Sequence, residues 1–120
     1  MTDRELLEKA AKACGKEIDL DRYDDEMGFI ILGISRWWNP LTDDGDAFRL
    51  AVKLGVYLQN MVLPTGNSRP ANSEGRGVAY PVNGSYERIV EWYTDEDAVA
   101  ATRRAITRAA AAIQEAREAV

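Results

Sequence analysis

The spacing of apolar and polar residues along the chain predicts three amphipathic helices. The first begins at Thr2, whose side chain can cap it with Glu5 three residues later, and ends before Gly15. The last opens at Thr94 and runs for about six turns, because apolar residues recur at alternating spacings of three and four. This core-facing stripe consists of Val99, Thr102, Ile106, Ala109, Ile113 and Ala116.

The middle helix follows an aromatic and acidic segment, Trp37 to Asp46. Pro40 keeps Asn39 out of the helical region, which predicts a loop over residues 35–40. Thr42 or Asp43 then caps a helix that ends at Gly55. Its predicted core face consists of Ala47, Leu50, Ala51 and Leu54.

Five apolar or alternating segments predict strands, over residues 16–23, 27–34, 56–63, 77–82 and 86–93. Turns at Asp24-Asp25-Glu26 and Asn83-Gly84 predict two hairpins, and the Pro- and Gly-rich residues 64–75 predict a surface loop. The order α-β-β-α-β-β-β-α indicates an α+β fold, a largely antiparallel sheet packed with helices. We find no internal repeat and expect residues 1–120 to form a single domain.

Composition narrows the possible functions. The net charge of -5 disfavours general nucleic-acid binding, because such a surface repels phosphate. The single cysteine, Cys14, excludes an internal disulfide and lies on an apolar helix face, so we expect a small buried hydrophobic residue. With no signal-peptide pattern and no run of about 20 apolar residues, we expect a cytoplasmic protein with no membrane association.

Catalytic signals are missing from the sequence. The absence of histidine removes the most frequent general base and metal ligand, and no nucleophile, phosphate-loop or dinucleotide motif occurs. Asp43, Asp44 and Asp46 lack the spacing of a calcium loop and fit a helix N-terminus instead. We therefore expect no catalytic residue, metal or cofactor, and keep an enzyme using carboxylates alone as the least favoured alternative.

The adjacent tryptophans Trp37 and Trp38, with Arg36 and Asn39, are the first candidate binding residues. Neighbouring side chains point in different directions, so one tryptophan is expected to enter the core. The other either packs as well or stays exposed beside Arg36, where it would suit base stacking or a protein hot spot. Asn39 is expected to bond to local backbone and shape the loop.

Arg103 and Arg104 in the last helix are the second candidates. With Arg108 they could form a cationic patch that binds a phosphate or a carboxylate. The alternative is a solvated helix face whose charge is balanced by Asp95, Glu96 and Glu115.

Two segments resemble a family. Trp38-Asn39-Pro40 followed by Asp46-Ala47 and an amphipathic helix resembles the W-N-P…D-A pattern of small tailed-phage and prophage proteins, the NinX-like and phage ABA sandwich groups. The segment Ala101 to Ile106 is similar to the pattern that opens their last helix. The resemblance implies a phage or prophage accessory protein inside a bacterial host cell, and it implies no reaction.

Two functional hypotheses follow. The first is a non-enzymatic protein that binds and modulates a host factor, including components of anti-phage defence, and it predicts an exposed apolar patch or strand edge. The alternative is a small-ligand protein that binds or sequesters a nucleotide signal, and it predicts a concave site with an aromatic ring and arginines. A free strand edge would also permit a homodimer.

Overall fold

The structure, a computed structural model, describes residues 1–56, 59–62, 76–81, 88–93 and 97–119. Its elements follow the order α-β-β-β-α-β-β-β-α. They are α1 (Asp3–Ala13), β1 (Ile18–Asp24), β2 (Gly28–Ile31), β3 (Arg36–Trp38), α2 (Asp44–Leu54), β4 (Gln59–Val62), β5 (Arg76–Pro81), β6 (Arg88–Tyr93) and α3 (Ala98–Glu118). Helices packed with antiparallel sheets confirm the predicted α+β class. The predicted order is wrong at one point, because a third strand precedes α2, and the strands form two three-stranded sheets rather than one.

Helix α1 forms as the sequence predicts. The Thr2 hydroxyl accepts a hydrogen bond from the Glu5 backbone N–H at 3.2 Å, which satisfies one of the donors that a helix start leaves free. Past Cys14, the chain leaves the helix through Gly15, whose φ is +77°. The apolar face carries Leu6, Leu7, Ala10, Ala11 and Ala13, all buried.

Strands β1, β2 and β3 form one antiparallel meander. The predicted turn between β1 and β2 is confirmed, since the Asp24 carboxylate accepts backbone N–H bonds from Glu26 at 2.8 Å and Met27 at 2.9 Å. The prediction that the second strand continues to Ile34 is wrong. The strand ends at Ile31, and the chain turns back through exposed residues to form β3.

The prediction of a loop over residues 35–40 is wrong for its first half. Arg36, Trp37 and Trp38 form β3, which pairs with β2 so that Trp38 lies opposite Phe29. Only three residues take part, which is too short for an alternating pattern to be visible in the sequence. The strand forms because Trp38 is 1% exposed and packs with Phe29 in the main core.

Strands β4, β5 and β6 form a second antiparallel meander, in which Gln59 lies opposite Ala79 and Pro81 opposite Arg88. All three fall on predicted strands. The predicted turn at Asn83-Gly84, the predicted loop over 64–75 and the predicted helix start at Thr94 lie outside the described residues.

Helix α3 is the element on which the others converge. It contacts α1, α2, β5 and β6, so it is buried on more than one side. The prediction of a single stripe is therefore partly wrong, since Val99 and Ala116 are exposed and Ile113 is half-buried. Alanine explains the difference, because its small side chain lets neighbouring elements approach the helix from several directions. The buried residues are Ala105, Ile106, Thr107, Ala109, Ala110 and Ala111.

The order of elements repeats, which the sequence analysis did not predict. Each three-stranded meander is followed by a helix, first α2 and then α3. Similar sequences also lie at the starts of the two helices, and they align when Gly45 is skipped. These sequences are Thr42-Asp43-Asp44-Gly45-Asp46-Ala47 and Thr94-Asp95-Glu96-Asp97-Ala98. A tryptophan-containing aromatic pair precedes both segments, but three extra residues follow the first pair and conceal the match.

No helix within the described ranges is both long and apolar enough to cross a membrane.

The close approach of Gly28 to the backbone at the end of β3 can be tested by substitution. The φ of Gly28 is +83°, and a Cβ there would collide with the Trp38 carbonyl oxygen and approach the Asn39 Cβ to 2.8 Å. We expect Gly28→Ala to lower the free energy of unfolding by about 2–5 kcal/mol, because a left-handed backbone strain adds to overpacking.

Gly15→Ala is the matched control for that substitution. Gly15 also has a positive φ but has nothing within 4 Å of the Cβ position, so only the backbone strain of about 1–2 kcal/mol applies. Urea denaturation of both variants measures the difference, and equal losses would contradict the close approach of β2 to β3.

Candidate functional site

An apolar groove of about 650 Å³ lies between α2 and α3. Three large apolar side chains on its walls are exposed, Phe48 at 68%, Val52 at 65% and Val99 at 58%. Scattered exposed apolar residues are ordinary on a protein surface, whereas these three lie together in one concavity. The lining residues are Asp44, Ala47, Phe48, Ala51, Val52, Gly55, Val56, Val99, Thr102, Arg103 and Ile106.

The sequence of α2 creates this exposure by carrying apolar residues on two faces. Ala47, Leu50 and Ala51 are buried in the core, as predicted from their spacing. Phe48 and Val52 are four residues apart and therefore stand above one another on a neighbouring face. The helix begins at its N-cap Asp43 and ends at Gly55 in the left-handed conformation, which confirms both predicted ends.

Arg103, a predicted binding residue, lies in the wall of the groove. Its guanidinium donates to the Asp44 carboxylate at 2.7 Å and to the Leu41 carbonyl at 2.8 Å. The side chain is mostly buried, so its contacts hold α3 against the start of α2. Arg103 and Asp44 compensate each other's charge at the groove wall.

A second, polar cleft of about 290 Å³ brings three of the predicted residues together: Arg36, Trp37 and Asn39. Trp37 is 38% exposed, whereas its neighbour Trp38 is buried and offers no contact surface. Alternation along β3 is the reason, because successive side chains of a strand point to opposite faces. Met27, Thr42, Glu26, Asp43 and Asp46 complete the lining.

Asp46 is the buried carboxylate of this cleft, at 5% exposure. It accepts the Asn39 backbone N–H at 3.0 Å and an Arg49 guanidinium N–H at 2.8 Å, with the Arg36 guanidinium at 3.6 Å. The sequence predicts for Asp46 only a favourable charge at a helix start. The spacing of three residues between Asp46 and Arg49 could have indicated from the sequence that these two side chains pair.

Asn39 has the role that the sequence predicts. Its side-chain amide donates to the Glu26 carbonyl at 3.0 Å, and its side-chain oxygen accepts the Leu41 backbone N–H at 3.0 Å. The residue therefore joins the β1–β2 turn to the loop that leads into α2.

Arg104, the remaining predicted residue, lies apart from both sites. Its guanidinium is 3.1 Å from the Asp3 carboxylate and 3.6 Å from Glu91, which also accepts a hydrogen bond from Arg108 at 2.7 Å. Arg104 and Arg108 line one cleft of about 500 Å³ together with Glu91 and Glu115. The contacts of Arg104 tie α3 to α1 and β6.

The titratable groups described show little reactive chemistry. Burial raises the pKa of the Cys14 thiol, which keeps it protonated and confirms the predicted buried hydrophobic residue. Backbone N–H bonds from Met27 and Glu26 lower the pKa of Asp24, consistent with its role in the turn. Within the described ranges, no three Asp, Glu or Cys side chains come together as metal ligands.

Comparison of the chain with protein-family models, with curated protein sequences and with solved structures finds no match.

The role of Asp46 can be tested by substitution. We expect Asp46→Ala to lower the free energy of unfolding by about 2–3 kcal/mol, because the buried Asn39 N–H loses its charged acceptor. Asp21→Ala is the control, since that residue is exposed on β1 and its substitution should change the free energy of unfolding by less than about 0.5 kcal/mol. Chemical denaturation measures both, and a small loss for Asp46→Ala would show that the junction does not depend on it.

Proposed function

We propose that this chain is a non-enzymatic phage or prophage accessory protein that binds and modulates a protein of its bacterial host, in the cytoplasm, through the groove between α2 and α3. The observation that supports the proposal most directly is the clustering of Phe48, Val52 and Val99 in one open apolar concavity. Protein hot spots have this anatomy, an aromatic or aliphatic anchor in a region from which water is excluded on binding.

The energetic argument concerns the apolar surface left in water. Full burial of a side chain such as Phe or Val contributes about 1.5–3 kcal/mol, so covering these three residues supplies a substantial part of a specific affinity. Other exposed apolar residues, such as Leu20 and Ile34, do not line this groove.

Binding is favoured over catalysis by the chemistry of the groove. Its described polar side chains are Asp44, Thr102 and Arg103, of which Asp44 and Arg103 form an ion pair. Thr102 donates its hydroxyl hydrogen to the Ala98 carbonyl at 2.8 Å, within its own helix. These groups are engaged in structural contacts, so the groove suits contact with an apolar surface better than proton transfer.

The small-ligand alternative has less support. The polar cleft does combine Trp37 with Arg36, as a nucleotide site would require. It also contains the carboxylates of Glu26, Asp43 and Asp46, which would repel phosphate. Because Arg103 and Arg104 lie elsewhere, the cleft lacks the cationic set that the sequence analysis considered for such a ligand.

The phage assignment rests on the resemblance of the Trp38-Asn39-Pro40 and Asp46-Ala47 segments. In the structure these residues build the junction between β3 and α2. The pattern thus corresponds to the part of the chain that positions α2 and its exposed side chains.

Affinity capture from a bacterial host lysate tests the proposal. We expect the tagged chain to retain one host protein, and Phe48→Asp to reduce its recovery more than tenfold, because a carboxylate placed in an apolar contact is costly to bury. Ile34→Asp, on an equally exposed residue of the β2–β3 turn, is the matched control and should leave recovery unchanged.

Two outcomes would contradict the proposal. Equal recovery with Phe48→Asp and wild type would exclude the groove as the contact site, provided circular dichroism shows both are folded. A dimeric wild type that Phe48→Asp converts to a monomer, measured by light scattering, would assign the groove to self-association instead.

A further inference from the structure

The two walls of the α2–α3 groove are made from the same helical positions. Each of the four lining residues of α3 stands 51 positions after a lining residue of the α2 segment (99 − 48 and 106 − 55, for example). The corresponding pairs are Phe48 and Val99, Ala51 and Thr102, Val52 and Arg103, and Gly55 and Ile106.

This correspondence follows from the repeated order of elements. Asp46-Ala47 and Asp97-Ala98 are related by the same separation, so Phe48 and Val99 each follow an Asp-Ala pair near the start of their helix. Both residues are exposed, and both line the groove. The groove is thus formed where the helices of the two units meet.

The spacing of the lining residues fits a helical occupant. Positions 48, 51 and 52 of α2, like 99, 102, 103 and 106 of α3, follow the spacing of three and four residues that forms ridges on a helix, and Gly55 continues the first row just past the end of α2. A third helix can pack its own ridges into a groove between two such rows. An amphipathic helix binds such grooves with anchors at the same spacing.

The exposed area excludes a large interface at this groove alone. A stable protein interface buries about 800 Å² on each partner. One Phe and two Val side chains supply only a fraction of that area, so the groove suits a narrow occupant better than a broad, flat surface. A volume of about 650 Å³ is nevertheless sufficient for several apolar side chains of a single docked helix.

The charge of the chain specifies the polar face of that helix. The net charge is -5, which attracts a positively charged segment, while the carboxylates at the start of α2 are paired, Asp43 with Arg49 at 3.9 Å and Asp44 with Arg103 at 2.7 Å. Arg103, the cation in the groove wall, is largely buried and paired with Asp44. A positively charged segment is therefore attracted over distance and meets an apolar surface at contact.

We propose that the groove binds one amphipathic helix of its protein partner, a helix with an apolar face and a lysine- or arginine-rich polar face. This inference rests on the proposed function and specifies the chemistry of the partner segment. The anchors of the helix pack between Phe48 and Val99, and its basic side chains face the solvent, where the net negative charge of the chain attracts them.

A synthetic peptide of about 18 residues, with leucine on one helical face and lysine on the other, is the probe. We expect fluorescence anisotropy at about 0.15 M salt to show saturable binding to the full chain. A scrambled peptide of the same composition and a leucine–glutamate helix should each bind at least tenfold more weakly. Phe48→Asp and Val99→Asp should each weaken binding at least tenfold, while Ile34→Asp should leave it unchanged.

Several results would overturn the inference. Equal binding of the scrambled peptide would reduce the interaction to general charge attraction, and tighter binding of the glutamate helix would reverse the charge assignment. If Phe48→Asp loses capture of the host protein and the wild-type chain binds no peptide, the helical occupant is excluded while the proposed function stands. Groove-dependent peptide binding without any captured host protein would support the helix and count against the proposed function.

Discussion

The Asp46 carboxylate joins the first sheet to α2, and the position of the groove depends on that junction. It accepts the backbone N–H of Asn39 at the end of β3 and is paired with Arg49 on α2 itself. Since the acceptor is buried and charged, its removal would leave a buried donor without a partner. Trp38, packed beneath the same loop, fixes the other side of the junction. Phe48 and Val52 are consequently presented away from the core at a defined orientation.

Helix α3 forms the opposite wall of the groove, and contacts near both of its ends hold it in place. Arg103 reaches the loop before α2, Arg104 reaches Asp3, and Arg117 donates to the Ala13 carbonyl at 2.9 Å. Contacts at the start and at the end of α1 show that α1 and α3 run in the same direction. Between these contacts, α1 and α3 contribute Ala10, Ala11 and Ala110 to the main core, together with the larger Leu7 and Ile106. The arginines therefore act as links between elements, and their charge is mostly compensated within the chain.

Much of the fold could be predicted from local patterns, because helix ends and turns depend on neighbours in sequence. Thr2, Asp24 and Gly55 all have the roles that their residue types indicate. Strand β3 could not be predicted, because its three residues are extended by pairing with β2 rather than by their own pattern. The even spacing in α3 indicated a single buried stripe, but burial depends on how many elements pack against a helix.

The candidate site was less predictable than the fold. Trp37 and Asn39 were identified and do share a cleft, since they are close in sequence. Phe48 and Val52 were not singled out, because exposure on the second face of α2 depends on the position of α3. Arg103 and Arg104 are adjacent in sequence but contact different elements, as neighbouring residues of a helix point in directions about 100° apart.

The corresponding residues of the two walls differ in side chain, most of all at Val52 and Arg103, and these differences give the groove a direction. Two identical walls related by a twofold axis across the groove would accept a bound helix equally well with either end leading. With a valine on one wall and a guanidinium engaged by Asp44 on the other, reversal of the helix places different side chains against each wall. The two orientations then differ in energy, so a repeated architecture can still select a single polarity for what it binds.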